Sequence, residues 1–165
     1  MFRNFGIASP VLRYARRSVS VQQVQARGLT GLVVGVPKET LDGEGRVALT
    51  PANVTKLKKA GASIKIESNA GEWSGFSDAM YKNAGADIVD ANEVWKSQLV
   101  AKVRPPTKDE ATKLENRAIC SIIQPRVNTD LLNQLVSQKS LVLSLDSLLR
   151  TLSRGQAFDV LSSQA

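Results

Sequence analysis

Leu32-Val33-Val34-Gly35-Val36-Pro37 is an unbroken apolar run closed by a proline. It does not alternate, so both sides of the segment call for burial, as in a strand inside a parallel sheet. A polar turn follows, Asp42-Gly43-Glu44-Gly45, and then the extended run Arg46-Val47-Ala48-Leu49. Thr50-Pro51 starts a helix: threonine can cap the free amides, and proline at the first helical position gives up an N–H that had no partner. Val54, Leu57 and Ala60 recur at helical spacing until Gly61, and 62–68 then alternates as a strand with Ile64 and Ile66 on one side.

The same unit repeats to the end of the chain. Ser77 caps a helix through about Asn83, ahead of a strand over 86–89. A helix over 90–98 leads into a strand over 99–104, stopped by Pro105-Pro106, and a charged helix over 107–116 leads into a strand over 118–123 that ends before Pro125. Asn128 or Thr129 caps a helix with Leu131, Leu132 and Leu135 inward, and 141–145 is one more strand. Helical segments of about ten residues between strands imply crossovers between parallel neighbours. The fold expected is an open, doubly wound α/β sheet of flavodoxin or Rossmann type.

With 165 residues there is room for one domain of ordinary size. The formal charge of +7 raises the question of nucleic acid, but the charge is uneven. Arg3, Arg13, Arg16, Arg17 and Arg27 fall in the first thirty residues, where no carboxylate occurs; without them 17 basic residues face 15 acidic ones. A nucleic-acid or lipid-surface role rests on that arm alone. The chain has no histidine, so the commonest general base and metal ligand is missing, and no metal site is expected. The single cysteine, Cys120, lies in an apolar run and reads as a small buried hydrophobe rather than a reactive thiol. No apolar run reaches the ~18 residues of a membrane span.

On a helical wheel, residues 11–21 set Val11, Leu12, Tyr14, Ala15, Val19 and Val21 against Arg13, Arg16, Arg17 and Ser20. An Arg-rich, acid-free amphipathic N-terminus reads as an organellar transit peptide over 1–30, and the absence of lysine before Lys38 favours the mitochondrion. The alternative is a solvated tail or a surface helix. The domain is placed at 31–165.

In doubly wound folds ligands sit at the carboxyl ends of the strands. That rule selects Pro37-Lys38-Glu39, Arg104-Pro105-Pro106, Gln124-Pro125-Arg126 and 147–156, all polar or cationic. A small anionic or amide-bearing ligand fits them, with Lys38, Arg46 and Arg104 as anion contacts.

Val34-Gly35-Val36-Pro37-Lys38-Glu39 followed by Arg46-Val47-Ala48-Leu49-Thr50-Pro51 resembles the opening of the alanine dehydrogenase and NAD(P) transhydrogenase superfamily. Matches continue in order through Glu67-Ser68-Asn69-Ala70-Gly71, Phe76-Ser77-Asp78, Tyr81 with Ala84-Gly85-Ala86, and Val100-Ala101-Lys102-Val103-Arg104-Pro105-Pro106. They end on Ser153-Arg154-Gly155-Gln156-Ala157-Phe158-Asp159-Val160-Leu161-Ser162-Ser163-Gln164-Ala165. The dehydrogenase branch uses a histidine in the loop that here reads Ile123-Gln124-Pro125, and its substrate-contacting lysine corresponds here to Arg104. The resemblance therefore leans to the N-terminal domain of a proton-translocating transhydrogenase α subunit. It implies that Arg150, Gln156, Asp159 and Ser162 orient the nicotinamide ring and its carboxamide. Gln156, Asp159 and Ser162 recur every three residues, along one drifting face of a helix. Thr151-Leu152 stand where the family has one residue, which alters the aim of Arg150.

A dinucleotide site also needs a glycine-rich turn between strand and helix, with an acidic residue about 20 positions on. Gly43-Glu44-Gly45 is the near miss, and it reads as a plain turn. The family's fingerprint lies beyond the match, so NAD(H) binding is expected only with a further subdomain or partner, and NADP(H) belongs to another domain. The family implies hydride transfer from NADH to NADP+ coupled to proton movement, on the matrix side of the inner mitochondrial membrane. Family members dimerise. Expected partners are other transhydrogenase domains or subunits. The competing reading is a catalytically silent accessory subunit docked on a larger inner-membrane respiratory complex.

Overall fold

A computed structural model describes residues 28–148. They form a six-stranded, wholly parallel sheet in the order β3-β2-β1-β4-β5-β6. The strands are β1 (Val33–Val36), β2 (Ser63–Glu67), β3 (Asp87–Val89), β4 (Leu99–Ala101), β5 (Ala118–Ser121) and β6 (Leu141–Ser144). Between them run α1 (Pro51–Lys59), α2 (Asp78–Ala84), α3 (Ala91–Trp95), α4 (Lys108–Thr112) and α5 (Thr129–Ser137). Such an order puts a topological switch between β1 and β4, where successive connections leave in opposite directions.

Each face has its own core. On one, Val34, Val36, Ile64 and Ile66 meet Val54 of α1 and Tyr81 of α2. On the other, Val100 and Ile119 meet Trp95 of α3, Ala111 and Leu114 of the α4 segment, and Leu131 and Leu135 of α5. Gly35 permits α3 to close on β1, because a Cβ there would lie 2.5 Å from the Val94 carbonyl oxygen. Thr50, Ser77, Asp90 and Thr107 each cap a helix through the side-chain oxygen, as expected of these residue types.

Several boundaries differ from the sequence reading. The helix expected over 90–98 spans only Ala91–Trp95, since Ser97 is buried beneath Gly35 and the chain must turn into β4. The helix expected over 107–116 stops at Thr112, and Asn116 takes a left-handed φ of 54° before β5. Asn128 occupies the α5 cap position without capping it, because its Nδ2 donates to the Ile123 carbonyl at 2.7 Å. Leu29 and Thr30, read as part of the arm, are packed on the domain: the Leu29 amide donates to the Ala60 carbonyl at 2.7 Å, and Thr30 lies against Gly61. Residues 1–27 lie outside the described residues.

Candidate functional site

The connections leaving β1 and β4 meet at the switch point and enclose a cleft of about 400 Å³. Its lining includes Glu39, Lys102, Arg104, Thr107, Gln124 and Asn128. The 39–42 segment also walls a smaller cavity of about 200 Å³, with Lys38, Arg46, Asn69 and Trp73 on its other sides. Loops that follow parallel strands are therefore brought together here, as the carboxyl-end rule requires.

Glu44 joins the two cavities. Its carboxylate accepts from Arg46 Nε at 2.6 Å and from Arg104 Nε at 2.7 Å, and Arg46 Nη2 adds a contact at 2.5 Å. Its side chain is only 4% exposed, whereas each arginine side chain keeps 39% exposure. Hydrogen bonding from Arg46, with further bonds from Arg104, holds the Glu44 carboxyl down at about 2 against the pull of burial. Gly43-Glu44-Gly45 is indeed a turn, with Gly43 at φ 75° and the Glu44 amide donating to the Leu41 carbonyl. Its middle residue is the clamp that sets both arginines, a role that the composition of the turn does not signal.

Beneath the cleft lies a buried ionic cluster. Lys102 Nζ donates to Glu110 Oε2 at 2.9 Å and Oε1 at 3.1 Å, and sits 3.7 Å from Glu39 Oε2. The same ammonium lies 5.8 Å from the centre of the Trp95 ring. Glu39 Oε1 accepts from the Val103 amide at 2.6 Å, tying the end of β1 to the end of β4, while its Oε2 is buried without a hydrogen-bond partner. Burial pushes the Glu39 carboxyl above its ordinary value, with the Lys102 charge as the chief opposing influence. Glu110 also completes a capping box with Thr107. One pattern could have revealed this cluster: Lys102 continues the apolar register of Val100, so its side chain enters the core.

Of the expected anion contacts, Arg46 and Arg104 are brought together. Lys38 is exposed in the smaller cavity, and its backbone amide donates to Glu67 Oε2 at 2.9 Å. Gln124, at the position where the dehydrogenase branch has histidine, takes a φ of 53° and lines the larger cleft. Asp146 holds that loop by accepting from the Ile123 and Gln124 amides at 3.1 and 2.9 Å. Arg150, Gln156, Asp159 and Ser162 lie outside the described residues.

The start of α1 does not fit a pyrophosphate. Thr50 Oγ1 already accepts the Asn53 amide, and Pro51 removes a second donor from the turn that would have to cradle it. The cleft instead suits one small group that pairs with a guanidinium edge and an amide. Among the described residues no group of three or more histidine, cysteine, aspartate or glutamate side chains could hold a metal ion, and no helix is long and apolar enough to cross a membrane.

The family model for the alanine dehydrogenase/PNT N-terminal domain matches residues 35–165. The chain belongs to this family. Its domain is 38% identical over 135 residues to the NAD(P) transhydrogenase subunit alpha of Haemophilus influenzae, covering 81% of the chain and 26% of that subunit. Alanine dehydrogenase 1 of Staphylococcus aureus is 49% identical over 79 residues, which cover 48% of the chain and 21% of the enzyme. In solved structures, the transhydrogenase of Sinorhizobium meliloti superposes with a TM-score of 0.76 at 30% identity, covering 80% of this chain and 40% of that one. An L-alanine dehydrogenase superposes with a TM-score of 0.70 at 30% identity, covering 74% and 35%. The alanine dehydrogenase/PNT domain described here thus spans about a quarter of the curated relatives it matches.

Proposed function

We propose that this domain is the ring-orienting part of a proton-translocating NAD(P)+ transhydrogenase. In that reading Arg150, Gln156, Asp159 and Ser162 set the nicotinamide and its carboxamide for hydride transfer from NADH to NADP+. The observation that carries it is Gln124 in the switch-point cleft beside Arg104. Oxidising an amine to a carbonyl requires a group that takes and returns protons, and a glutamine amide cannot do so. Hydride passage between two nicotinamides needs no acid or base, only aligned rings and excluded water. Arg46 and Arg104, already fixed on Glu44, keep further guanidinium donors for a polar group.

The dinucleotide's phosphates and the NADP(H) site fall to other domains or subunits, which are the partners of this reading. The Arg-rich arm supports import into the mitochondrion and work on the matrix side of the inner membrane. The test is a chimaera in which residues 31–165 replace the matching segment of the Haemophilus influenzae subunit. Transfer from NADH to an NADP+ analogue without alanine-dependent NADH formation is expected, and alanine oxidation at a comparable rate would refute the reading.

A second reading is the silent accessory subunit on a respiratory complex, consistent with described residues that by themselves offer no cradle for the dinucleotide's phosphates. Calorimetric titration of the chain with NADH separates the two: millimolar or absent binding supports the silent reading, and micromolar binding overturns it.

A further inference from the structure

The loop after β2 presents a tryptophan to water and fixes it there. Trp73, on a single 3-10 turn over Glu72–Ser74, is 72% exposed and belongs to neither core. Its ring edge rests on Gly45, where a Cβ would lie 3.7 Å from Trp73 Cε3. The loop is pinned at both ends. The Asp78 carboxylate accepts from the Asn69 amide and the Ser68 hydroxyl, each at 2.9 Å, and Gly75 closes the turn at a left-handed φ of 77°. Gly71 packs so closely on Tyr81 that a Cβ would stand 2.6 Å from its ring. Ser74 Oγ donates to the Gly45 carbonyl at 2.6 Å, which ties the loop to the turn after β1.

The indole stands beside the smaller cavity of about 200 Å³. Leu41, also exposed, lines the same cavity, so apolar exposure is concentrated here rather than scattered. A dry cavity of about 150 Å³ takes up one benzene ring, and this one therefore has room for a single ring system. The charges of the lining decide the class of ligand. Glu39 is held by the Val103 amide beside Lys102, and Glu44 by Arg46 and Arg104. Lys38 and Asp42 remain exposed, and among the described residues neither enters a salt bridge. An anion is opposed by Asp42 and a cation by Lys38, a penalty that a neutral ring escapes. With a donor and an acceptor on one edge, such a ring uses both residues: the Lys38 ammonium donates to its acceptor and the Asp42 carboxylate accepts from its donor. Its face is then free to stack on the indole.

The geometry points to a binding site at Trp73 for a flat, uncharged heteroaromatic ring with a hydrogen-bond donor and acceptor on one edge, the chemistry shared by nucleobases and pyridine carboxamides. The site lies across the 39–42 segment from the switch-point cleft, and it stands independently of the transhydrogenase reading.

Trp95 is buried, so quenching of tryptophan emission in the full chain reports Trp73. The probes are adenosine, nicotinamide and nicotinate, the last carrying a full negative charge on the ring of the second. Adenosine or nicotinamide should quench saturably, and the tighter of the two tells a nucleobase site from a carboxamide site; nicotinate should bind more weakly than nicotinamide. In saturation-transfer NMR, Trp73→Ala should raise the half-saturation concentration about tenfold with circular dichroism unchanged. Asp42→Asn should bring nicotinate to the level of nicotinamide. Absence of saturable quenching by both neutral probes overturns the proposal. Binding that survives Trp73→Ala and is lost in Arg104→Gln also overturns it, because the ring would then sit in the switch-point cleft, as does nicotinate that binds the unaltered chain as well as nicotinamide.

Discussion

The β1-β2-β3 half of the sheet and the β4-β5-β6 half share one topology but are built from different chemistry. The first is covered on the α1/α2 side by an apolar core in which Tyr81 is the one polar handle, its hydroxyl donating to the Leu49 carbonyl at 2.8 Å. Among the described residues, the polar or charged side chains classed as buried are Ser97, Lys102, Glu110 and Ser121, all in the second half or at its entry. That half also carries the larger cleft and an exposed apolar face at Leu141 and Leu143. Buried polar chemistry is thus concentrated on one side of the switch point, with loops from both sides held by Glu39 and Glu44.

The sharpest way to break the comparison is Lys102→Ala. Two buried carboxylates would lose their shared cation, and removing one partner of a buried ionic cluster costs about 3 to 5 kcal/mol. Urea unfolding should show this loss, and adding Glu39→Gln and Glu110→Gln should recover much of it. A loss under about 1 kcal/mol would mean that the cluster is hydrated and that the second half is no more polar inside than the first.

Next in size is the contrast between equivalent sides of the two halves. Ile64→Ala empties a fully buried site and should cost about 2 to 5 kcal/mol. Leu143→Ala should cost under about 1 kcal/mol, since its side chain stands 46% exposed outside both cores.

The sequence shows the layered sheet well because each local signal agrees with the global one: proline stops after Val36 and Arg104, capping residues at Thr50, Ser77 and Thr107, and apolar runs too continuous for a solvated face. Helix ends are less visible, because packing decides them; Ser97 ends α3 by fitting under Gly35, 62 positions earlier in the chain. The arginines were legible as cations but not as a pair, since what joins them is Glu44 in a turn that reads as mere punctuation. Lys102 was hidden for the opposite reason: inside a matched motif it looked like one more basic residue, although its strand register already pointed it into the core.

The smallest predicted effect concerns two carboxylates, five positions apart, that the two environments push in opposite directions. The Glu44 carboxyl sits at about 2 in the fold, below its unfolded value of 4.5, so the unfolded chain binds its proton first. Its stabilisation is present above about pH 4.5 and is lost as pH falls through about 2. The half-exposed arginines screen it, leaving on the order of 1 to 2 kcal/mol. Glu39 is raised by burial, so the folded chain binds its proton first, and stability falls as pH climbs from 4.5 through the folded value. In urea midpoints measured from pH 3 to 7, Glu44→Gln should therefore flatten the acid loss, while Glu39→Gln should remove the fall in stability that Glu39 causes as pH climbs above 4.5. If both variants shifted the profile the same way, Glu39 would be an ordinary solvated carboxylate, and the polar interior assigned to the second half would begin at Lys102 rather than at the end of β1.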